Sequence, residues 1–300
     1  MVGVDAGGSV SRAVVLHSSG AELGRAEVPS ARVLAGVPGP VVAVLHDLIE
    51  QACLRAGVEL PVAAVWAGIA GAGREAVRAE LESSLARAGV ARRVRVGTDI
   101  EAAFHDAFAD GSGILLMAGT GSIAFGRAED GREGRVGGWG SVLGDEGSGY
   151  AIGVEALKRV ARSADGRGKD TVLAARLLSR LDLVGLDDLV TWASTASRPA
   201  IAALVPEIEA AAAAGDWVAG EILATAVEEL EGHILTVLQT LGPWRNWPTV
   251  ALGGGLLQRG GPLRQRVEHL LQLHHLPFLA RDLDPALGAA RLALAVEAEA

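Results

Sequence analysis

Hydrophobic and polar positions alternate along the first 30 residues in three short runs, which predict β-strands. The runs are Val2–Asp5, Ser11–His17 and Glu22–Val28, and a glycine-rich turn joins the first two. Apolar residues then recur with helical spacing through Gly39–Gly57 and Arg74–Gly89. Each of these stretches ends at a glycine, which is typical of a helix C-terminus. The opening of the chain therefore predicts an α/β arrangement.

Strands and helices continue to alternate up to about residue 108. The stretch "VAAVWAGIAG" predicts a buried strand, "RRVRVGTD" predicts a strand that closes on Asp99, and "IEAAFHDAFADG" predicts a short helix. The alternation within "ARRVRV" is typical of an edge strand, where charged side chains face water. The predicted order is thus three strands, helix, strand, helix, strand, helix.

The pattern restarts at Gly113, where "GILLMAGTGSIAFGR" predicts two strands joined by a glycine turn, as at the start of the chain. This restart predicts two domains, residues 1–110 and 111–300, with the boundary near 108–113. A helical stretch is expected from about Glu146 to Leu241. Its breaks are predicted near Asp165–Lys169, Leu183–Gly185, Ser197–Pro199 and Gly215.

The end of the chain returns to mixed structure. "PTVALGGG" predicts a strand, "PLRQRVEHLLQL" a helix, "LPFLA" a short strand and "DPALGAARLALAVEA" a last helix. The second domain is therefore expected to be α/β with a helical insertion. Its last helix is a candidate to pack back on the N-terminal domain.

Composition narrows the function classes. The 300 residues are 50% apolar and carry a formal net charge of −9, without the clustered Lys and Arg that nucleic-acid binding requires. Cys53 is the only cysteine, so an intramolecular disulfide and a Cys-based zinc or iron–sulfur site are excluded. No uninterrupted apolar segment approaches the ~20 residues that span a bilayer, and a signal-peptide pattern is absent. We expect a soluble cytoplasmic protein with no nucleic-acid or membrane partner.

The turn "VGVDAGGSVSR" places a carboxylate and two glycines between strands. Glycine lets backbone N–H groups approach an anion, and Ser9 and Ser11 add hydroxyl donors. Asp5 would repel a polyphosphate unless Mg²⁺ and its waters lay between them. The alternative is a plain β-hairpin with a glycine bulge. A second turn, "MAGTGSIAFG", repeats the arrangement, and the pair indicates a polyphosphate held from both sides.

Three further stretches are candidates for chemistry. Asp99 in "VGTDIEAA" is either a helix N-cap or turn aspartate, or a general base for phosphoryl transfer. "GRVGGWGSVLGDEGSGYAIG" holds eight glycines with Trp139, Asp145 and Glu146. Carboxylates beside a flat ring suit a sugar, whereas the alternative is a core Trp and a helix-capping Asp-Glu. "VALGGGLLQRGGPL" either accommodates a flat ring such as adenine or is purely structural.

In order, "VGVDAGGSVSR", "GTD", "AGTGSIA", "GGWGSVLGDEGSGYAIG" and "ALGGGL" closely resemble the N-acetylglucosamine kinase branch of the sugar kinase/Hsp70/actin ATPase superfamily. That branch is often grouped with the BadF/BadG/BcrA/BcrD ATPases. The resemblance covers residues 1 to about 160 and 248–295. It implies two ribonuclease-H-like (actin-like ATPase) α/β domains flanking a nucleotide and sugar cleft. It also implies ATP, Mg²⁺ and transfer of the γ-phosphate to the 6-hydroxyl of an amino sugar or hexose.

The resemblance also implies roles for particular residues. Asp5 would act on Mg²⁺ through water, and Asp99 would contact the sugar hydroxyl as catalytic base. The implied nucleotide-binding residues are Gly7, Gly8, Ser9, Ser11, Gly119, Thr120, Gly121, Ser122, Gly253, Gly254 and Gly255. The implied sugar-binding residues are Asp99, Gly138, Trp139, Gly140 and Asp145.

One departure concerns the substrate. Family members usually carry a sugar-contacting Asn after the third strand, but here the loop reads "EVPSARVLAGVPGP", with Arg32 as a replacement candidate. N-acetylglucosamine and glucosamine are the leading substrates, and a homodimer is a candidate assembly. The alternatives are an activator-type ATPase, which normally needs two cluster-binding cysteines per subunit, and a non-catalytic sugar- or nucleotide-binding regulator of the same fold.

Overall fold

The structure is a computed structural model that describes residues 1–7, 10–29 and 39–298. In chain order it begins with β1 (Val2–Ala6), β2 (Val10–Leu16), β3 (Glu22–Pro29), α1 (Gly39–Ala56), β4 (Val62–Ile69), α2 (Glu75–Arg87), β5 (Ala91–Gly97) and α3 (Asp99–Phe108). It continues with β6 (Gly113–Ala118), β7 (Ser122–Arg127), β8 (Glu133–Gly137), α4 (Gly149–Ala164), α5 (Leu173–Leu181), α6 (Leu186–Thr195), α7 (Arg198–Ala202), α8 (Val205–Ala213), α9 (Trp217–Leu241), β9 (Val250–Gly253), α10 (Arg264–Leu273) and α11 (Pro285–Ala298).

These elements form two compact units, each with its own sheet. Unit 1 comprises Met1–Gly111 with Leu283–Ala300, and unit 2 comprises Ser112–Asp282. The predicted α/β class is confirmed. Within the described ranges, no helix is both long and apolar enough to cross a membrane.

The sheet of unit 1 has the strand order β3-β2-β1-β4-β5, with β1 antiparallel to β2 and parallel to β4. Strand alternation sends neighbouring side chains to opposite faces. Val2 and Val4 pack in the same core cluster as the α1 residues Leu45 and Leu48. β5 lies at the sheet edge, as the charged alternation of its sequence predicts.

The last helix covers the opposite face of this sheet. Its Ala290 packs with Val14 and Leu16 of β2, and a Cβ placed on Gly3 of β1 would lie 1.9 Å from the Ala290 nitrogen. The buried Asp106 of α3 accepts a hydrogen bond from the Asp284 N–H (2.9 Å), just before the helix begins. Main-chain contact at a position without a side chain thus fixes α11 on the sheet.

Unit 2 contains a sheet of order β8-β7-β6-β9, in which β6 is antiparallel to β7 and parallel to β9. Ile114 and Leu116 of β6 are fully buried in one apolar cluster with Leu230 and Ile234 of α9. The six helices α4 to α9 lie between β8 and β9, in the stretch where the sequence predicts helices. Its predicted breaks are confirmed, and one further break separates α7 from α8.

Two strand predictions need correction. β8 lies at the start of the glycine-rich stretch, where the sequence pattern predicts no strand; Arg135 and its neighbours alternate there on a half-exposed edge strand. "LPFLA" does not form a strand and makes only a single bridge, Val250 to Phe278. The neighbouring Pro277 has no N–H to donate to a ladder, which limits pairing there.

The close contacts of α11 give a stability prediction. A Cβ on Gly288 would lie 2.1 Å from the Ala102 carbonyl oxygen of α3, so Gly288→Ala should force the helices apart. We expect a loss of about 1–3 kcal/mol, seen as a lower urea midpoint. The matched control is Gly232→Ala in α9, where nothing lies within 4 Å and alanine should stabilise the helix by about 1 kcal/mol. Equal effects of the two substitutions would contradict the close contact.

Candidate functional site

Unit 1 brings two carboxylates to the carboxyl-terminal edge of its parallel strands. Asp5 lies near the end of β1 and is only 8% exposed. Asp99 lies two residues beyond the end of β5 and begins α3. Because β1, β4 and β5 run parallel, their ends reach the same sheet edge, where ligands of α/β proteins commonly bind.

The start of α3 explains why Asp99 is available for chemistry. Thr98, not Asp99, caps the helix: the Thr98 hydroxyl accepts from the Glu101 N–H (3.1 Å), and the Glu101 carboxylate accepts from the Thr98 N–H (3.0 Å). This capping box satisfies two orphan donors of the helix end. The alternative in which Asp99 is the cap is therefore wrong.

Asp5 and Asp99 both have pKa values above that of an ordinary aspartate. Burial, followed by the negative charge of Asp99, raises the pKa of Asp5 to about 7. Burial raises the pKa of Asp99 to about 6, although a bond from the Ile100 N–H opposes the shift. Arg12 stands opposite Asp5 in the strand ladder, but its guanidinium pairs with Glu27 at 2.8 Å. The carboxylates thus form an electronegative site suited to a cation and to accepting a proton.

The first predicted turn joins β1 and β2, which form the expected antiparallel hairpin. Gly7 follows β1 directly, whereas Gly8 and Ser9 lie outside the described residues. Ser11 is fully buried and pairs with Ala6 inside the ladder. Its position is therefore in the strand rather than in the turn.

The second predicted turn, Gly119–Gly121, joins β6 to β7 in unit 2, where the Gly119 N–H donates to the Gly121 carbonyl (2.9 Å). Since β6 and β9 are parallel, the turn after β9 lies beside it. Gly254 has φ +86°, and a Cβ there would lie 2.4 Å from the Ala118 carbonyl oxygen. Only glycine allows this approach. The structure thus brings the predicted phosphate turn and the predicted adenosine turn, Gly253–Gly255, to one sheet edge.

The first turn of α4 lies directly against the Gly119–Gly121 turn. Ser148 caps this helix by accepting from the Ala151 N–H (3.2 Å). The Gly149 N–H donates to the Gly119 carbonyl (2.8 Å), and the Tyr150 N–H reaches the Thr120 carbonyl at 3.4 Å. These N–H groups are engaged by the turn, so anion binding here depends on the turn's own backbone.

Asp145 is only 4% exposed, and its carboxylate lies against the end of the Gly119–Gly121 turn. One carboxylate oxygen accepts from the Ser122 N–H (3.3 Å), and the other forms an ion pair with Arg198. The Ser122 hydroxyl donates to the Glu146 carbonyl (2.6 Å). Ser122 and Asp145, predicted as ligand-binding residues, thus both bond to the protein itself.

The remaining predicted sugar residues form a bend between β8 and α4. Gly138 and Gly140 have φ values of +69° and +83°, so both positions favour glycine. Trp139 is 65% exposed, and the Arg135 guanidinium lies 4.4 Å from the centre of its ring. The alternative in which this Trp belongs to the core is therefore wrong, as is the one in which Asp-Glu caps α4.

Sequence reasoning missed Arg198 and the capping role of Ser148. A Ser directly before a run of helix-forming residues is a recognisable cap signal. Arg198 lies 53 residues from its partner in a segment without a motif, so no local pattern identifies it.

Comparisons with known proteins agree on one family. The family model described as the BadF/BadG/BcrA/BcrD ATPase family matches residues 2–293. The chain is 30% identical to the N-acetyl-D-glucosamine kinase of Dictyostelium discoideum, with 98% of this chain and 97% of that protein covered. It is 32% identical to the N-acetylmuramic acid/N-acetylglucosamine kinase of Clostridium acetobutylicum over 71% of each.

A solved structure extends the agreement to the fold. A protein of Chromobacterium violaceum, provisionally assigned as an N-acetylglucosamine kinase, superposes with a TM-score of 0.82 at 27% identity, and the match covers 98% of both chains. With a family match over nearly the whole length, a full-length relative at 30% identity and this shared fold, the chain belongs to the BadF/BadG/BcrA/BcrD ATPase family.

Proposed function

We propose that this protein is an ATP-dependent kinase that phosphorylates an amino sugar at a hydroxyl, the 6-hydroxyl in our assignment. The observation that carries the proposal is the Asp5–Asp99 pair, in which two interacting carboxylates have raised pKa values at the strand ends of unit 1. The curated relatives named above are kinases of N-acetylglucosamine or of N-acetylmuramic acid and N-acetylglucosamine. Their names support an amino sugar as the acceptor.

Asp99 is assigned as the general base. In its ionised form it takes the proton of the sugar hydroxyl while that oxygen attacks the γ-phosphorus of ATP. The bond from the γ-phosphorus to the bridging oxygen breaks, and ADP leaves with its electron pair. A pKa near 6 keeps Asp99 largely ionised at neutral pH and still basic enough to hold the proton.

The backbone of Gly7–Ser9 and of Gly119–Gly121 is assigned to the ATP phosphates, with Ser11 and Ser122 as flanking positions of these turns. Gly253–Gly255 is assigned to the adenosine. Trp139, with Gly138 and Gly140, is assigned to the sugar, where an aromatic ring suits C–H faces. Asp145 is the remaining sugar candidate.

Asp5 is assigned to Mg²⁺ through water. The fit is supported by the burial of Asp5, whose pKa is raised first by that burial and then by the negative charge of Asp99. Carboxylate oxygens are the ligands that Mg²⁺ prefers. The ion would supply charge neutralisation for the phosphates.

Cys53 bears on the activator-type alternative. It is the only cysteine and lies buried in α1, 1% exposed, so one chain cannot supply the cysteine pair that such activators normally use. Arg32 and the other residues from 30 to 38, in the loop that lacks the usual Asn, lie outside the described residues. A homodimer and a cytoplasmic location stay predictions.

The proposal is tested by turnover on a panel of sugars. With ATP and Mg²⁺ in a coupled ADP assay, N-acetylglucosamine or glucosamine should give a higher kcat/KM than glucose, because the relatives are amino-sugar kinases. ATP binding without turnover on any panel member would favour the non-catalytic regulator instead.

The base assignment predicts the effect of Asp99→Asn. The variant should bind ATP nearly as wild type while kcat falls by roughly 10²–10⁴. In the wild type, kcat/KM should decrease as the pH falls through about 6, because the carboxylate becomes protonated. Asp110→Asn removes an exposed carboxylate in the same unit and serves as control. A wild-type rate in Asp99→Asn would exclude Asp99 as base.

The raised pKa of Asp5 predicts a pH-dependent stability. Because the folded pKa of about 7 exceeds the unfolded value near 3.8, the folded protein binds this proton more tightly. Stability should therefore fall as the pH rises from about 4 to 7. Asp5→Asn should become progressively more stable than wild type over this range, by at most a few kcal/mol. A difference between the two urea midpoints that stays constant with pH would contradict this electrostatic account.

A further inference from the structure

The short helix α7 is held against the first turns of α4 by two glycines. A Cβ on Gly149 would lie 3.1 Å from the Ala202 Cβ, and a Cβ on Gly153 would lie 2.4 Å from the Ile201 carbonyl oxygen. Larger residues at either position would push α7 away. The helical insertion thus contacts the helix whose first turn bonds the Gly119–Gly121 turn.

This packing places the Arg198 side chain beside Asp145. Ser197 caps α7 by accepting from the Ala200 N–H (3.3 Å), and Arg198 is the first residue of the helix. Its guanidinium lies 5.4 Å from the centre of the Tyr150 ring and pairs with the buried Asp145 carboxylate. An unpaired buried charge is costly, and Arg198 supplies the partner of this carboxylate, which is 4% exposed.

The Arg198 side chain leaves one of its hydrogen-bond donors unpaired. Its Nε is buried, and no described residue offers it a hydrogen-bond partner. An unpaired buried donor is destabilising. The arginine therefore occupies this position at the expense of one of its donors, which indicates a role toward Asp145 rather than in general stability.

Asp145 carries the effect onward to the turn. Its Oδ1 accepts from the Ser122 N–H at 3.3 Å and would lie 2.8 Å from a Cβ on Gly121. The backbone of Asp145 has φ +64°, an unfavourable value for a residue other than glycine. Arg198 thus fixes a strained residue whose carboxylate bonds Ser122, directly after the turn, and leaves no room for a side chain at Gly121.

We propose that Arg198 is a positioning residue of the kinase reaction. By pairing with Asp145, it holds the Gly119–Gly121 turn in the conformation that binds the ATP phosphates. The inference rests on the proposed function and extends it to the helical insertion, to which the sequence assigns no role. Arg198 acts through Asp145.

Steady-state kinetics of Arg198 variants distinguish an effect on ATP binding from an effect on sugar binding. In Arg198→Met, the KM for ATP should rise at least about tenfold and kcat should fall by about 10–100-fold, since small displacements of binding groups are costly. The KM for the sugar should change less than about threefold. Arg198→Lys should recover part of the loss, because it keeps the charge but not the planar fork.

The matched control is Arg176→Met. Arg176 lies in α5 of the same helical insertion, pairs with Glu207 at 3.2 Å, and its side chain is 36% exposed against 35% for Arg198. The control removes the same charge and should keep wild-type KM values and kcat. If Arg198→Met behaves like this control, the proposal is overturned. A rise confined to the sugar KM would overturn it too, because Asp145 would then act on the sugar.

A double-mutant cycle gives an independent readout. Asp145→Asn removes the charge that Arg198 balances, so Arg198→Met with Asp145→Asn should lose less kcat/KM than the product of the two single losses. Independent losses would contradict coupling through the ion pair. If Arg198→Met fails to fold in thermal melting, Arg198→Lys and Asp145→Asn must both show the raised KM for ATP, or the inference fails.

The affinity for a non-hydrolysable ATP analogue, measured by calorimetry, distinguishes failure of the proposed kinase function from failure of the proposed role of Arg198. A wild type that binds the analogue but phosphorylates no sugar would refute the proposed function alone. In that case, analogue affinity that falls in Arg198→Met but not in Arg176→Met would still support the role of Arg198. Unchanged affinity in both variants would refute it.

Discussion

Close approach of one main chain to another, at positions without a Cβ, is the constraint on which both units depend. In unit 1, Gly3 lets α11 lie against β1, so the last helix completes the sheet that carries Asp5. In unit 2, Gly254 brings the turn after β9 against the end of β6. The resulting contacts are between backbones, whose geometry is fixed by secondary structure rather than by side-chain rotamers. Turns held in this way can present N–H groups with little freedom to relax, which favours a preorganised anion site.

The carboxylates of unit 1 follow a different physical logic. Asp5 and Asp99 lie at strand ends where burial disfavours their charged forms, and the negative charge of Asp99 adds to this effect at Asp5. A fold selected for stability alone would neutralise them with a cation, but the nearby Arg12 is paired with Glu27. Such a site is least stable when both groups are ionised and gains most from a bound cation. The same electrostatics that destabilise the free protein would therefore favour the binding of a cation, in the usual compromise between stability and activity.

Sequence patterns predicted the strands and helices well where one periodicity dominates. Both hairpins, the edge strand β5 and the helical breaks follow from alternation, glycine and proline. The pattern failed at β8, because Gly134 and Gly137 conceal an edge strand whose single apolar side chain is Val136. It failed also at "LPFLA", where one bridge to Val250 replaces a ladder. In each case the outcome depends on a neighbouring strand, which local sequence does not contain.

The candidate site also contains residues that local sequence predicts and residues that depend on tertiary contacts. Asp5 and Asp99 are predictable because a carboxylate after a buried strand is a local signal, and parallel strands bring such ends together. The partnership of Asp145 with Arg198 is a tertiary event, since it requires α7 to contact α4 at Gly149 and Gly153. These glycines belong to α4, and the arginine belongs to a segment in which no motif was found. An insertion without recognisable motifs can therefore still determine a site, provided that the glycine-rich loop beside it leaves a buried charge for the insertion to neutralise.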